Sequence, residues 1–176
     1  DSELLKKIHE QNPKLQAPVE IGNSGQIKEW ANEGEYNKDK SGNTLGEAEH
    51  RHISQLVSLY PCNQITRRSP ELIDAAKVTL NSRGDESTGW SRANKMLLWA
   101  RAIGNDGSRE KSGGTNVRGI SNADRAYSIY QGLIQNMVYD NLFDWHPLGS
   151  NSSAKNGVFQ IDGNFGSAAA MGEFLL

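Results

Sequence analysis

The chain has 176 residues, 19 basic and 21 acidic, with a formal net charge of −2. That length is enough for one domain with a real core. The balanced charge gives no drive toward nucleic acid or an anionic membrane, and no apolar run approaches the roughly 18 residues of a membrane span. A single cysteine, Cys62, excludes an internal disulfide and a thiolate metal centre; it reads as a small packed side chain rather than a nucleophile.

Helical periodicity dominates. Ser2 to Gln11 places Leu4, Leu5 and Ile8 on one face, and Pro13 closes it. Ile53, Leu56, Val57 and Tyr60 suggest a short helix. Ser69-Pro70-Glu71 is a start signal: a cap, a proline at the first helical position and an acid in the first turn. The helix that follows turns Leu72, Ile73, Ala76 and Leu80 inward and runs out near Gly84. Another begins at Thr88-Gly89, with the stripe Ala93, Met96, Leu97, Ala100 and Ile103, and stops at Gly104. Residues Asn105 to Asn122, rich in glycine, read as a long loop. Ser121 and Asp124 form a capping-box variant that opens a helix with Ala126, Tyr127, Tyr130, Leu133, Ile134 and Met137 inward. A last apolar helix over Ser167 to Leu176 carries Ala168, Met171, Phe174 and Leu175. No sustained period-two pattern exists, so strands are expected to be short. Both ends read as cut, and any targeting segment is expected to lie outside the chain. The fold class is all-α, a run of paired helices from a larger array.

Four groups of residues interrupt the helical pattern and mix ionisable with aromatic side chains. They are Gly25-Gln26-Ile27-Lys28-Glu29-Trp30; His50-Arg51-His52-Ile53-Ser54; Thr88-Gly89-Trp90-Ser91; and Asn141 to Pro147 together with Phe159 to Gly166. A sugar site needs this mixture, because aromatic faces stack on the C–H faces of a pyranose while charged and amide groups read its hydroxyls. Glu29 lies between Ile27 and Trp30. An apolar, partly dry setting disfavours a carboxylate and suits a general acid; the plainer reading is a surface glutamate of a helix, stabilised by Lys28. Glu33, Glu35, Glu47 and Glu49 fit a solvated role. Asp162, flanked by Ile161 and Gly163, could hold the attacking water, or could cap a helix starting near Phe165. His50 and His52 could join His146 at a metal, could with Arg51 donate to sugar hydroxyls, or could be packed at a helix end. Trp90 and Trp145 are sugar platforms or half-buried core.

Taken in order, these segments, with Leu59-Tyr60-Pro61, Leu98-Trp99-Ala100-Arg101 and Asn141-Leu142-Phe143-Asp144, resemble family 95 of the glycoside hydrolases, the α-L-fucosidase family, over about residues 22–176. The resemblance implies part of an (α/α)6 barrel, the C-terminal half, with 1–176 as one partial domain. It implies inverting hydrolysis of α-L-fucosides, with α-L-galactosides preferred by some relatives. It implies Glu29 as general acid and Asp162 as the carboxylate that, with an asparagine, polarises water. Arg51 and His52 fall in its fucose-binding part, and Trp90 and His146 join them as substrate-binding residues. The general inverting scheme spaces its carboxyl groups about 6.5–9.5 Å apart. Gln55, Cys62 and Asn94 depart from the histidine, glycine and tryptophan common at those positions, which bears on substrate preference.

The expected partners are a fucosylated oligosaccharide or glycan and the remaining half of the barrel, with no nucleic acid, membrane, metal or organic cofactor. The water-orienting asparagines are expected upstream, so the chain alone is expected to be inactive. A secreted or periplasmic location is preferred over a cytoplasmic one. The rival readings are a non-catalytic carbohydrate-binding or assembly fragment and, third, a metal hydrolase built on His50, His52 and His146.

Overall fold

The computed structural model describes residues 1–15, 19–35, 37–45, 50–102, 104, 111–112, 115–116, 120–149 and 156–175. Most of the expected long loop, together with Ile103, Glu47, Glu49 and Leu176, lies outside them. Among the described residues the chain is mostly helical: α1 (Ser2–Gln11), α2 (Pro70–Arg83), α3 (Gly89–Arg101), α4 (Asn122–Asn136) and α5 (Ile161–Leu175). Strands are short, as expected. They form three antiparallel pairs: β1 (Glu33–Glu35) with β2 (Lys38–Asp39), β3 (Lys111–Ser112) with β4 (Thr115–Asn116), and β5 (Trp145–His146) with β6 (Val158–Phe159). No described helix is long and apolar enough to cross a membrane.

The core gathers around α3. Met96, Leu97, Leu98 and Trp99 are buried with Ile73, Ala76 and Leu80 of α2, Ala126 and Ile129 of α4, Ala170 of α5, and Ile27, Ile53, Leu56 and Leu59 from the connecting segments. The predicted stripe of α3 is only part of its buried surface. Ser91, Arg92 and Lys95 are also buried, because α4 and α5 both pack on this helix. Lys95 donates to the Glu86 carbonyl at 3.1 Å, and burial lowers its pKa to about 8.

Several local readings need correction. Ser69 precedes Pro70 as expected, but its hydroxyl turns back to Thr66 and makes no cap bond to α2. Ser121 does cap α4, accepting from the Asp124 N–H at 3.1 Å. The buried positions of α4 are Asn122, Ala126, Ile129 and Leu133; of the expected face, Tyr130 packs partly buried against the core, whereas Tyr127 and Ile134 are exposed. Helix α5 begins at Ile161, several residues earlier than expected, and buries the small residues Gly163, Ser167 and Ala170. A methyl group on Gly166 would stand 2.8 Å from the Ala93 Cβ, so small residues set the close approach of α5 to α3. Its large side chains Phe165, Met171, Phe174 and Leu175 are exposed, as are Leu4, Leu5 and Ile8 of α1. Cys62 is exposed rather than packed.

Candidate active site

The segment carrying Glu29 is not helical. It docks on the C-terminal half of α2: the Thr79 hydroxyl accepts from the Ile27 N–H at 2.9 Å, and the Gln26 amide donates to Ser82 at 3.3 Å. Lys28 pairs with Glu20 at 3.0 Å, not with Glu29. Glu29 instead meets Arg83, whose Nη2 donates to Oε2 at 2.7 Å, while the Ser54 hydroxyl donates to Oε1 at 2.9 Å. The glutamate side chain is 15 % exposed and that of Arg83 1 %. The expected apolar wrapping of Glu29 is therefore replaced by a polar clamp on both oxygens. A second correction concerns Glu33, expected to be solvated. It is 2 % exposed, and its Oε2 accepts from the backbone N–H groups of Glu29 and Trp30 at 2.9 and 3.4 Å.

Arg83 also holds the histidine segment. Its Nη1 donates to the carbonyls of His50 and His52 at 2.8 and 3.1 Å. The Ser91 hydroxyl donates to the Arg51 carbonyl at 2.8 Å, tying that segment to the start of α3. His52 stands edge-on to Trp90, with ring centroids 4.9 Å apart, and His50 lies 4.5 Å from His52. The pKa of His52 is lowered by partial desolvation and by the charges of His50 and Arg51, against Glu29. A cavity of about 250 Å³ opens here, lined by His52, Ser54, Tyr60, Trp90 and Asn94 among others. The structure thus brings Glu29, His52 and Trp90 into one neighbourhood. The Arg51 side chain is exposed beside it.

Asp162 occupies the first turn of α5 and is exposed. The helix already runs through it, so it does not cap a helix starting near Phe165. His146 is half-buried in the β5–β6 hairpin, opposite Val158, and Trp145 is buried rather than presented to a ligand. Among the described residues no three or more His, Cys, Asp or Glu side chains are grouped to hold a metal.

Asp144 joins the two neighbourhoods. It is 0 % exposed. A methyl group on Gly89, next to Trp90, or on Gly163, next to Asp162, would overlap its carboxylate. Asp144 is thus wedged between the N-terminal turns of α3 and α5, and both glycines are required to admit it. Its pKa is pushed up to about 6, by burial first and then by the charge of Asp162; the backbone N–H groups of Trp145 and Gly163 act in the opposite sense. Neither of its oxygens has a hydrogen-bond partner of good geometry among the described residues. Sequence reasoning quoted Asp144 within a motif but gave it no role, passed over Arg83, and assigned Glu33 to solvent. A buried acid between an aromatic and a tryptophan was the one local hint.

Residues 1–175 match the family model described as glycosyl hydrolase family 95 catalytic domain. Over 98 % of its length the chain is 34 % identical to an alpha-L-fucosidase 2 of Arabidopsis thaliana, and over 97 % it is 32 % identical to a probable alpha-fucosidase A of Aspergillus oryzae. A probable alpha-fucosidase A of Aspergillus niger is 28 % identical over 92 % of the chain. The chain spans 17 %, 21 % and 17 % of the lengths of these three relatives. By the family match and these identities, the chain belongs to the glycosyl hydrolase family 95 catalytic domain.

Proposed function

We propose that the chain is the C-terminal half of an (α/α)6 catalytic barrel that hydrolyses terminal α-L-fucosyl linkages with inversion, α-L-galactosyl linkages being the nearest alternative. The observation that carries this is the position of Glu29, oriented by Arg83 and Ser54 beside the His52–Trp90 pair, within a family 95 domain whose relatives are named as fucosidases. In this reading Glu29 donates its proton to the glycosidic oxygen as the bond from the anomeric carbon breaks. A water attacks that carbon from the opposite face and passes its proton toward Asp162, acting with an asparagine from the other half of the barrel. Both tasks are proton transfers, so no metal or organic cofactor is assigned. Arg51, His52, Trp90 and His146 are the residues proposed to bind the sugar, and the cavity of about 250 Å³ beside His52 and Trp90 suits one sugar ring. The exposed apolar faces of α1 and α5 fit burial against the remaining helices.

The test is release of fucose from a 2′-fucosylated oligosaccharide, by the purified chain and by the complete enzyme. The expected result is turnover by the complete enzyme and none by the chain alone. An inert complete enzyme would remove the hydrolase reading. Robust turnover by the chain alone would remove the half-barrel reading.

A further inference from the structure

The loop that delivers Asp144 is held from many directions. Leu142 has a φ of 66°, a left-handed conformation that a leucine adopts at a cost. Its carbonyl accepts from the Asn164 side-chain Nδ2 at 2.8 Å, and the Asn164 side-chain Oδ1 accepts from the Asp144 N–H at 2.9 Å. The Asp144 carbonyl accepts from the Gln160 N–H at 3.1 Å, just before α5. Asp144 is thereby locked to the start of the helix that carries Asp162, while its carboxylate fills the space between Gly89 and Gly163.

A carboxylate placed there is buried at a net cost: the backbone N–H groups of Trp145 and Gly163 favour its charge, but burial outweighs them. A neutral or apolar side chain would fill the same gap without the cost of burying a charge. The retained acid, a strained loop and two obligatory glycines together indicate a role that a spacer does not explain.

We propose that Asp144 is a positioning residue of the hydrolytic site, setting the places of Asp162 and Trp90 by joining the starts of α5 and α3. This rests on the hydrolase reading of the site. Asp162 is the charged group of α5 that acts on Asp144. In α3, Arg92 is engaged by Glu86 and the Ser87 carbonyl, and Lys95 by the Glu86 carbonyl. His146 lies two residues on in the same hairpin. The segment bridged through Val138 brings Tyr139, whose hydroxyl donates to the Gly157 carbonyl, and an exposed Asp140. The charge of Asp162 is thereby coupled to the titration of Asp144.

The experiment compares wild type with Asp144→Asn in the complete enzyme, since the amide has the shape of the acid but no charge. The expected result is at least a tenfold fall in kcat with KM within about twofold, in a protein at least as thermostable as wild type at pH 7. A kcat lost only in proportion to folded protein would overturn the proposal. Should Asp144→Asn not fold, the pH dependence of Tm in Asp162→Asn decides. Coupling shifts its acid-side step to lower pH, and a curve parallel to wild type overturns the proposal. The Tm readout needs no activity, so it can fail while the hydrolase reading stands, and an inert wild type sinks that reading without touching the coupling.

Discussion

Arg83 reaches across 54 residues of sequence to place its Nη2 2.7 Å from the Oε2 of Glu29. The same guanidinium supports the His50 and His52 carbonyls through Nη1. One buried arginine thus fixes the candidate acid and the backbone of the candidate sugar-binding segment together. Removing it takes the charged donor from Glu29, which keeps only Ser54 on its other oxygen, and a donor from two carbonyls. Arg83→Ala is expected to cost about 3–5 kcal/mol of stability in the complete enzyme, read by denaturant unfolding. Arg83→Lys keeps the charge but not the fork that serves three acceptors, so it should recover only part of that loss. Full recovery by lysine would show that charge alone matters.

Glu33 acts one step behind Glu29. Its Oε2 accepts from the Glu29 and Trp30 N–H groups from a nearly closed site. Glu33→Ala should cost about 1–3 kcal/mol, the usual penalty for orphaning buried backbone donors, and should lower kcat because the Glu29 backbone loses its anchor. A variant with unaltered stability and rate would show that this turn is held by other contacts.

The two glycines around Asp144 give a cleaner test of packing. Gly163→Ala places a methyl group on the Asp144 carboxylate and should cost about 1–3 kcal/mol by overpacking. Truncating the acid makes room, so the double variant Gly163→Ala with Asp144→Ala should be more stable than the sum of the single effects. A double-mutant cycle with no coupling energy would contradict the wedge.

Asp144 also fixes a pH dependence. Its folded pKa, about 6, lies above the ordinary 3.8. Between those values the folded state binds more proton than the unfolded state, so stability from this group falls as pH rises through the window. About two pH units at about 1.4 kcal/mol each give a deficit of about 3 kcal/mol above pH 6. Asp144→Asn should therefore gain stability relative to wild type at pH 7 and gain little at pH 4, as read by urea unfolding at each pH. An equal offset at both values would show that the carboxylate bears no such burial cost.

What the sequence revealed was local. Asp1 to Gln11, the Pro70 start of α2 and the Ser121 cap of α4 carry their signals within a few neighbouring residues, and those helices form where expected. The glycines of Asp162-Gly163-Asn164-Phe165-Gly166 read as a loop because glycine is poor in helix interiors. In the structure they sit inside α5, where Gly163 admits Asp144 and Gly166 admits Ala93. Glu29, His52 and Trp90 were recognisable as polar–aromatic mixtures, but the residues that orient them were not. Arg83, Glu33 and Asp144 act through burial and through partners set by tertiary packing, and neither helical period nor capping pattern encodes such partners.

Glu29 is proposed to deliver the proton to the leaving sugar oxygen. The most direct measurement is the rate of fucose release from a 2′-fucosylated oligosaccharide by the complete enzyme carrying Glu29→Gln, with fucose binding followed by calorimetry. A glutamine keeps the shape of the clamp with Arg83 and Ser54 but has no carboxylic proton to give. In this variant kcat is expected to fall by at least about a thousandfold, within the range typical of losing a general acid, with binding retained. Near-normal turnover would contradict it.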